Sequence, residues 1–448
     1  MNRHKNIFFR KPSTNPYRIF ILLILILGGI WLIRQLETGA IQRPFTPTPT
    51  PTRAAQSLAL EGDAQFSAGQ LDAAITAYQE ATRIDPNNAE VWAKLARIQA
   101  YSSALLTTDE QQRARLQEAL ASIEKAVELA PDDSLAHATH AFVLDWNSNT
   151  ILFGEDQAAD YLLQAEQAAV RALQLDNQNT LALAYYAEIL VDEQKWNQAE
   201  QYIQQALEQD DTLMDVHRVY AYVLESFGQY NQAIQEYDKA IAISPNLTFL
   251  YLRAGANYRR LAFDSPNDEV GTQLYESSLE YFAKAARLNE QLGIEDPVPY
   301  LSIARTYSQM GEFFIAARNV QRALEIDPAN ADIYGQLGIV YFKSRNYEGS
   351  IPAFKCAIRG CTEDESCDGR GGCGLNDEKA EVTGLALSAN TVVYYYTYGS
   401  VLAALSRPKE NYCEEAMVVM SEVRGQFSDA PDIMGIVQAG EAICASLN

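Results

Sequence analysis

The stretch MDVHRVYAYVLESFGQYNQAIQEYDKAIAISP, residues 214–245, sets large residues at His217, Tyr220 and Leu224 around the small Ala221. Gly228, Tyr230, Ala233, Tyr237, Ala240 and Pro245 follow. Apolar positions three and four apart on either side of Gly228 mark one face of a helix before the glycine and one after it. Pro245 ends the second helix because a proline cannot continue it. Small residues let two antiparallel helices approach, and aromatics fill the space between them. The segment is a helix, a tight turn, a second helix and a stop.

The same order recurs along the chain. Residues 55–86 give Leu58, Gly62, Ala74, Tyr78, Ala81 and Pro86, and residues 180–211 give Leu183, Ala187, Leu190, Trp196, Ala199 and Ala206. Residues 297–328 give Tyr300, Ala304, Tyr307, Gly311, Phe313, Ala316, Ala323 and Pro328, and residues 331–358 give Tyr334, Leu337, Gly338, Tyr341, Tyr347, Phe354 and Ala357. This recurrence resembles the tetratricopeptide repeat family, whose unit is a 34-residue helix-turn-helix.

Further units fit with eleven or twelve extra residues between their two helices: 89–131 (Trp92, Ala96, Ala119, Ala126), 134–177 (Ala141, Leu144, Ala165, Ala172) and 248–290 (Tyr251, Gly255, Tyr258, Phe282, Ala285). The shared joint puts these additions along one edge of the stack, as longer helices or as loops. A ninth unit spans about 392–428 (Tyr395, Gly399, Leu402, Ala416), and residues 431–447 fit a terminal helix covering the last repeat.

The resemblance implies an all-α chain, a right-handed α-solenoid of about nine helix pairs plus a capping helix; the apolar run at residues 19–33 adds one transmembrane helix before it. The segments are a basic cytoplasmic tail at 1–18, a transmembrane helix at 19–34 and a Pro/Thr-rich linker at 35–53. Units one to eight then occupy 54–358, a Cys/Gly-rich insertion 359–390, and unit nine with the capping helix 391–448. It also implies a concave groove, lined by repeat positions 2, 5, 9 and 12 of the first helices, that binds protein or peptide partners. Arg218, Tyr222, Phe249, Arg259, Arg305, Phe342 and Tyr396 stand at such places. Arginines and aromatics in a groove suit an acidic or carboxylate-ended peptide; pairing of those arginines with the chain's own acids is the competing expectation.

The export signal is read from residues 19–33, IFILLILILGGIWLI, bracketed by Arg18 and Arg34. Fifteen residues rise about 22 Å as a helix, and snorkelling arginines extend the span toward the ~30 Å core. Arg3, Lys5, Arg10, Lys11 and Arg18 precede it with no acid, so the positive-inside rule keeps the N-terminus cytoplasmic and sends the rest outside, as a single-pass protein of the cell membrane. A cleavable signal peptide is the alternative. RPFTPTPTPTR, residues 43–53, favours polyproline II, a semi-rigid stalk of about 28 Å over nine residues.

Chemistry is sparse. With 35 Lys+Arg against 58 Asp+Glu, a net of −23, the chain repels phosphates, so nucleic acid is not an expected partner. His137 and His140 lie three apart, yet they occupy repeat positions where bulky core residues belong, as does His217. No phosphate-loop, nucleophile-elbow or zinc-protease motif occurs. No enzyme, cofactor or metal is therefore expected. The function implied is a membrane-anchored scaffold; the alternative is a structural or envelope-organising protein that binds cell-wall polymer or itself. The oligomeric state stays open.

The six cysteines follow from the compartment. An exported chain oxidises its thiols. Cys413 and Cys444 sit at matching distances from the turn near Gly425 and should meet. Cys356, Cys361, Cys367 and Cys373 lack the close pairs zinc needs. Asp364, Ser366, Asp368 and Gly369 mimic half a calcium loop, but its twelfth position is Leu375 rather than a glutamate. Two disulfides pinning a loop to the eighth repeat are expected, with connectivity open.

Overall fold

A computed structural model describes residues 15–37, 54–374 and 378–447. The start of the basic tail, most of the Pro/Thr-rich linker and Leu375 lie outside the described residues. The chain divides into two units, Met1–Arg53 and Ala54–Asn448.

The first unit holds α1 (Pro16–Glu37). Its 22 residues rise about 33 Å, and Pro16–Gln35 has a mean hydropathy of 2.2. That is long and apolar enough to cross a bilayer core of about 30 Å, a property shared by single-pass anchors and signal sequences. The helix outruns the apolar stretch because Arg34 and Gln35 are good helix formers and proline is tolerated at the first helical position, where Pro16 stands.

The second unit is an α-solenoid of antiparallel pairs. In chain order these are α2 (Ala55–Ser67) with α3 (Leu71–Ile84), α4 (Ala89–Ser103) with α5 (Asp109–Leu129), and α6 (Ser134–Trp146) with the one-turn α7 (Thr150–Phe153) and α8 (Glu155–Leu175). Then come α9 (Thr180–Asp192) with α10 (Trp196–Gln209), α11 (Met214–Ser226) with α12 (Tyr230–Ile243), and α13 (Thr248–Phe263) with α14 (Asp268–Leu292). The array continues with α15 (Val298–Gln309) and α16 (Phe313–Ile326), and with α17 (Ala331–Lys343) and α18 (Tyr347–Arg359). After α19 (Glu363–Gly369) in the insertion, α20 (Val392–Leu405), α21 (Cys413–Phe427) and α22 (Pro431–Ala445) close it.

Within a pair, absent side chains set the separation. A methyl group at Gly62, Gly255 or Gly338 would stand 2.6 or 2.7 Å from the ring of Tyr78, Phe282 or Phe354. The extra residues of the longer units lengthen the second helix: α5 and α8 have 21 residues and α14 has 25, against 14 in α3, α10, α12 and α16. Thr108 and Asn267 cap α5 and α14, and acidic pairs in their first turns suit the helix dipole.

A second device recurs between pairs. Trp92, His137, His217, Tyr251 and Tyr334 each hydrogen-bond the carbonyl six residues back, at Pro86, Pro131, Asp211, Pro245 and Pro328, over 2.8–3.1 Å. A ring with a polar tip at the fourth repeat position thus satisfies the turn it leaves. This is the place of His137 and His217, where His217 also contacts Glu236 at 2.7 Å.

The solenoid closes on itself. Asn246 donates to the Ser67 carbonyl (3.0 Å), Gln70 to that of Leu292 (3.1 Å), Asn330 to Thr107 (2.5 Å) and Asn390 to Asp109 (2.7 Å). These partners are 179 to 281 residues apart in sequence.

Gly69 gives this closure a test. It has φ +81°, and a methyl there would overlap the Asn246 carbonyl; Gly228, at φ +70°, has open space around it. Gly228→Ala is expected to cost about 1 kcal/mol from the left-handed backbone alone, and Gly69→Ala about 2–3 kcal/mol with the overlap added. Hydrogen exchange should show faster opening of α2 and α3 only for Gly69→Ala. Equal behaviour of the two variants would mean that this contact adds no stability.

Candidate functional site

The first helices α4, α6, α9, α11 and α13 face one another across the superhelix. Their inward rings form a continuous stack: Tyr101 lies over Phe249 at 5.0 Å, and Phe142 over Tyr185 at 4.6 Å. Asp215 sits beneath, 2% exposed. It accepts hydrogen bonds from Arg97, from Tyr101 and, at 3.0 Å, from Tyr185, so one carboxylate joins α4, α9 and α11. Burial by itself would raise its pKa, but Arg97 and Arg218 hold it below the usual carboxylate range.

Above this stack opens a cavity of about 810 Å3. Its polar wall is Asp145, Glu188, Asp192, Arg218, Tyr222 and Arg253, and its apolar wall includes Leu116, Leu152, Trp146 and Phe249. Arg218 makes two parallel hydrogen bonds to Glu188, of 2.8 and 2.6 Å, with both side chains buried. Its guanidinium lies 5.5 Å from the rings of Tyr101 and Phe142. Tyr222 donates to Asp192 at 2.5 Å, and Arg253 pairs with Glu225 at 2.6 Å. One oxygen of Asp145, Oδ1, is buried with no N–H or hydroxyl donor in reach among the described residues.

Arg218, Tyr222 and Phe249 come together at this cavity. Arg218 is neutralised by Glu188 and Phe249 is covered by Tyr101, so intramolecular pairing is what the structure shows for them. Arg259 lies farther along, 5.3 Å from the Phe282 ring, and donates to the Ser302 carbonyl at 3.3 Å. Burial and the neighbouring charge of Arg305, which is exposed, lower the pKa of Arg259. Phe342 borders a separate apolar cavity of about 550 Å3 with Tyr347, Val401, Ile436 and Ile443. Tyr396 is half-buried beside neither.

Asp145, Glu188 and Arg97 also stand at groove positions of their repeats. Their periodic place was a usable signal, as it was for Arg218 and Asp215; which of these residues pair across one to three repeats carried none. Among the described residues no group of three His, Cys, Asp or Glu side chains is arranged to hold a metal.

The cysteines are joined as Cys356–Cys361, Cys367–Cys373 and Cys413–Cys444, with no free cysteine among the described residues. Of the two bonds expected to pin the insertion to the eighth repeat, only Cys356–Cys361 does so; Cys367–Cys373 closes a loop within the insertion. Backbone hydrogen bonds fasten the insertion as well. Cys361 and Val382 exchange two hydrogen bonds, Leu385 donates to the Ala357 carbonyl at 2.8 Å, and Gln321 donates to that of Arg370 at 2.7 Å.

Family models described as TPR repeat and tetratricopeptide repeat match residues 62–101, and residues 187–248 and 301–365. No curated protein matches the chain. Among solved structures, the human IFIT1 dimer with PPP-AAAA is similar at 17% identity and TM-score 0.52, over 89% of this chain and 92% of that one. The human IFIT1 dimer with m7Gppp-AAAA gives 17% and 0.52, over 92% and 93%. A thermophilic TPR protein of Thermus thermophilus is 20% identical over 46% of this chain and 98% of its own, with a TM-score of 0.37.

Proposed function

Because the chain belongs to the tetratricopeptide repeat family, we propose that it is a membrane-anchored scaffold. In this reading its repeat array lies outside the cytoplasm, binds protein or peptide partners through the inner face and has no catalytic activity of its own. The observation that carries the reading is the cavity of about 810 Å3 on that inner face, whose volume suits a peptide segment with its side chains.

Location is supported by two independent features. The apolar α1 follows a run of bases without acids, and three disulfides suit an oxidising compartment. Surface charge favours protein over nucleic acid: the polar wall of the cavity carries carboxylates that would repel phosphate. The IFIT1 structures share the fold at 17% identity, which carries no ligand across.

Partner capture by affinity purification from intact membranes tests this. Arg259→Glu with Arg305→Glu is expected to weaken capture at least ten-fold, since both stand at the repeat positions proposed to line the groove, beyond the cavity itself. Arg218 is left intact because its ion pair with Glu188 is part of the packed interior. Unchanged capture by the double variant would remove these arginines from the binding face, and a wild-type array that captures nothing would remove the scaffold reading.

A further inference from the structure

Charge around the central cavity does not cancel. Arg218 is matched by Glu188, and Arg253 by Glu225 outside the lining. That leaves Asp145 from α6 and Asp192 from α9 facing the space, with Glu155 at its border. Asp145 is 4% exposed; no N–H or hydroxyl donor among the described residues reaches its Oδ1, and its carboxyl is hydrogen-bonded to that of Asp192. Two buried carboxyls in contact do not both stay charged without a counter-ion, so the pair holds a proton that an entering cation can displace. Trp146 supplies a ring surface of the kind that receives cations, whereas Tyr222 already carries the Arg253 guanidinium and Phe249 is covered by Tyr101.

We propose that this cavity binds an ammonium or guanidinium group on an apolar stem, seated between Asp145 and Asp192 against Trp146. This is the chemistry of a lysine or arginine side chain presented by the partner, so the inference rests on the scaffold reading and narrows it. It reverses the expectation of an acidic peptide at this part of the groove, because the arginine there is already neutralised.

Titration of the site agrees with the geometry. Burial, then Asp192 and Glu188 beside it, push the Asp145 carboxyl well above its usual range, and burial first pushes Asp192 up to about 6. Arg218 acts in the opposite direction on Asp145, and the hydrogen bonds from Tyr222 and Asp145, then the charge of Arg253, do so on Asp192; the same carboxyl–carboxyl bond raises Asp145 further. A folded-state pKa above the unfolded value of about 3.9 means that the empty protein loses stability as pH rises through that interval. Asparagine at either position should therefore raise the thermal midpoint at neutral pH while removing the charge a cation needs.

The test is calorimetric titration of the detergent-solubilised full chain. Its probes are acetyl-Leu-Leu-Lys-Leu-Leu-amide, the same peptide with glutamine for lysine, and n-butylamine. The lysine peptide is expected to bind at least ten-fold tighter than the glutamine peptide at pH 7.5, and to weaken toward pH 5.5 as the carboxylates take up protons. Asp145→Asn and Asp192→Asn should each weaken it about ten-fold and raise the thermal midpoint. The midpoint shows that each variant is folded, and Asp192→Asn, nearer the opening, serves if Asp145→Asn is not. Butylamine competing as well as the peptide would assign the site to a free amine of the same chemistry. Equal affinity for the two peptides, no binding of any probe, or unchanged affinity in both variants would overturn the proposal. Undiminished partner capture by the double asparagine variant would overturn it too, while leaving the scaffold reading in place.

Discussion

Asp215→Ala is expected to cost about 3–5 kcal/mol, the range for removing one partner of a buried ion pair. The carboxylate is 2% exposed and serves Arg97, Tyr101 and Tyr185 together. Its loss leaves a guanidinium without its counter-charge and two buried hydroxyls without an acceptor. Asp215→Asn keeps the shape and an acceptor oxygen but not the charge, so it should fall between wild type and alanine. Arg97 stands on α4 and Asp215 on α11, 118 residues apart, so hydrogen exchange should accelerate in both helices. Acceleration confined to α11 would show that the interaction is local. The sign with pH is fixed by the lowered pKa of Asp215. Its contribution is fully present above the unfolded carboxylate value of about 3.9 and is lost as pH falls through the lower folded value. Asp192 acts oppositely, so acid first relieves the cavity and only then releases the Asp215 contact.

The repeat pairs were legible because each needs only local information: a small residue opposite a ring, as at Gly338 and Phe354, a turn, and a stop. The joint that accepts extra residues was visible as well. Whether those residues form loops or helix was not, and capping at Thr108 and Asn267 with acidic first turns explains the helical outcome. Closure of the superhelix could not be read. It depends on a small rotation accumulated from pair to pair and on single polar residues in connecting turns, such as Asn246 and Asn390, the latter meeting Asp109 at the start of α5. The cavity shows the same division. Groove positions can be counted along the sequence, so Arg218 and Tyr222 were found. Which acid each arginine meets follows from the winding, and that is why the site emerged with residual negative charge instead of positive. The positions of Gln194 and Arg345 add a smaller example. Both adopt positive φ (61° and 62°) at turns where Gly69, Gly228 and Gly311 stand in other units, so the turn is set by packing of the pair even where glycine is missing.

Replacing Cys413 and Cys444 together by serine is expected to destabilise the end of the array by about 3–4 kcal/mol, the loop-entropy value for a bridge across 31 residues. The bridge ties α21 to α22, whose Met434, Val437 and Gly440 are buried against the last pair. Beside the apolar packing of Met420 against Gly440, the two helices share an ion pair of Arg424 and Glu441 that is partly exposed, and such pairs contribute about 0–1 kcal/mol. Repeat arrays transmit stability mainly to neighbours, so the loss should appear as fast hydrogen exchange in α22, then in α20 and α21. The contact of Asn390 with Asp109 offers a second route, carrying part of the effect back to α5. Units around Asp215 should keep their protection. A uniform loss from α2 to α22 would mean that the solenoid unfolds as one cooperative body, with the closure contacts overriding nearest-neighbour coupling. Adding Ser388→Ala and Asn390→Ala to the serine pair removes both side-chain contacts to Asp109 and separates the cases: it should remove the effect at α5 and leave the fraying of α22 unchanged.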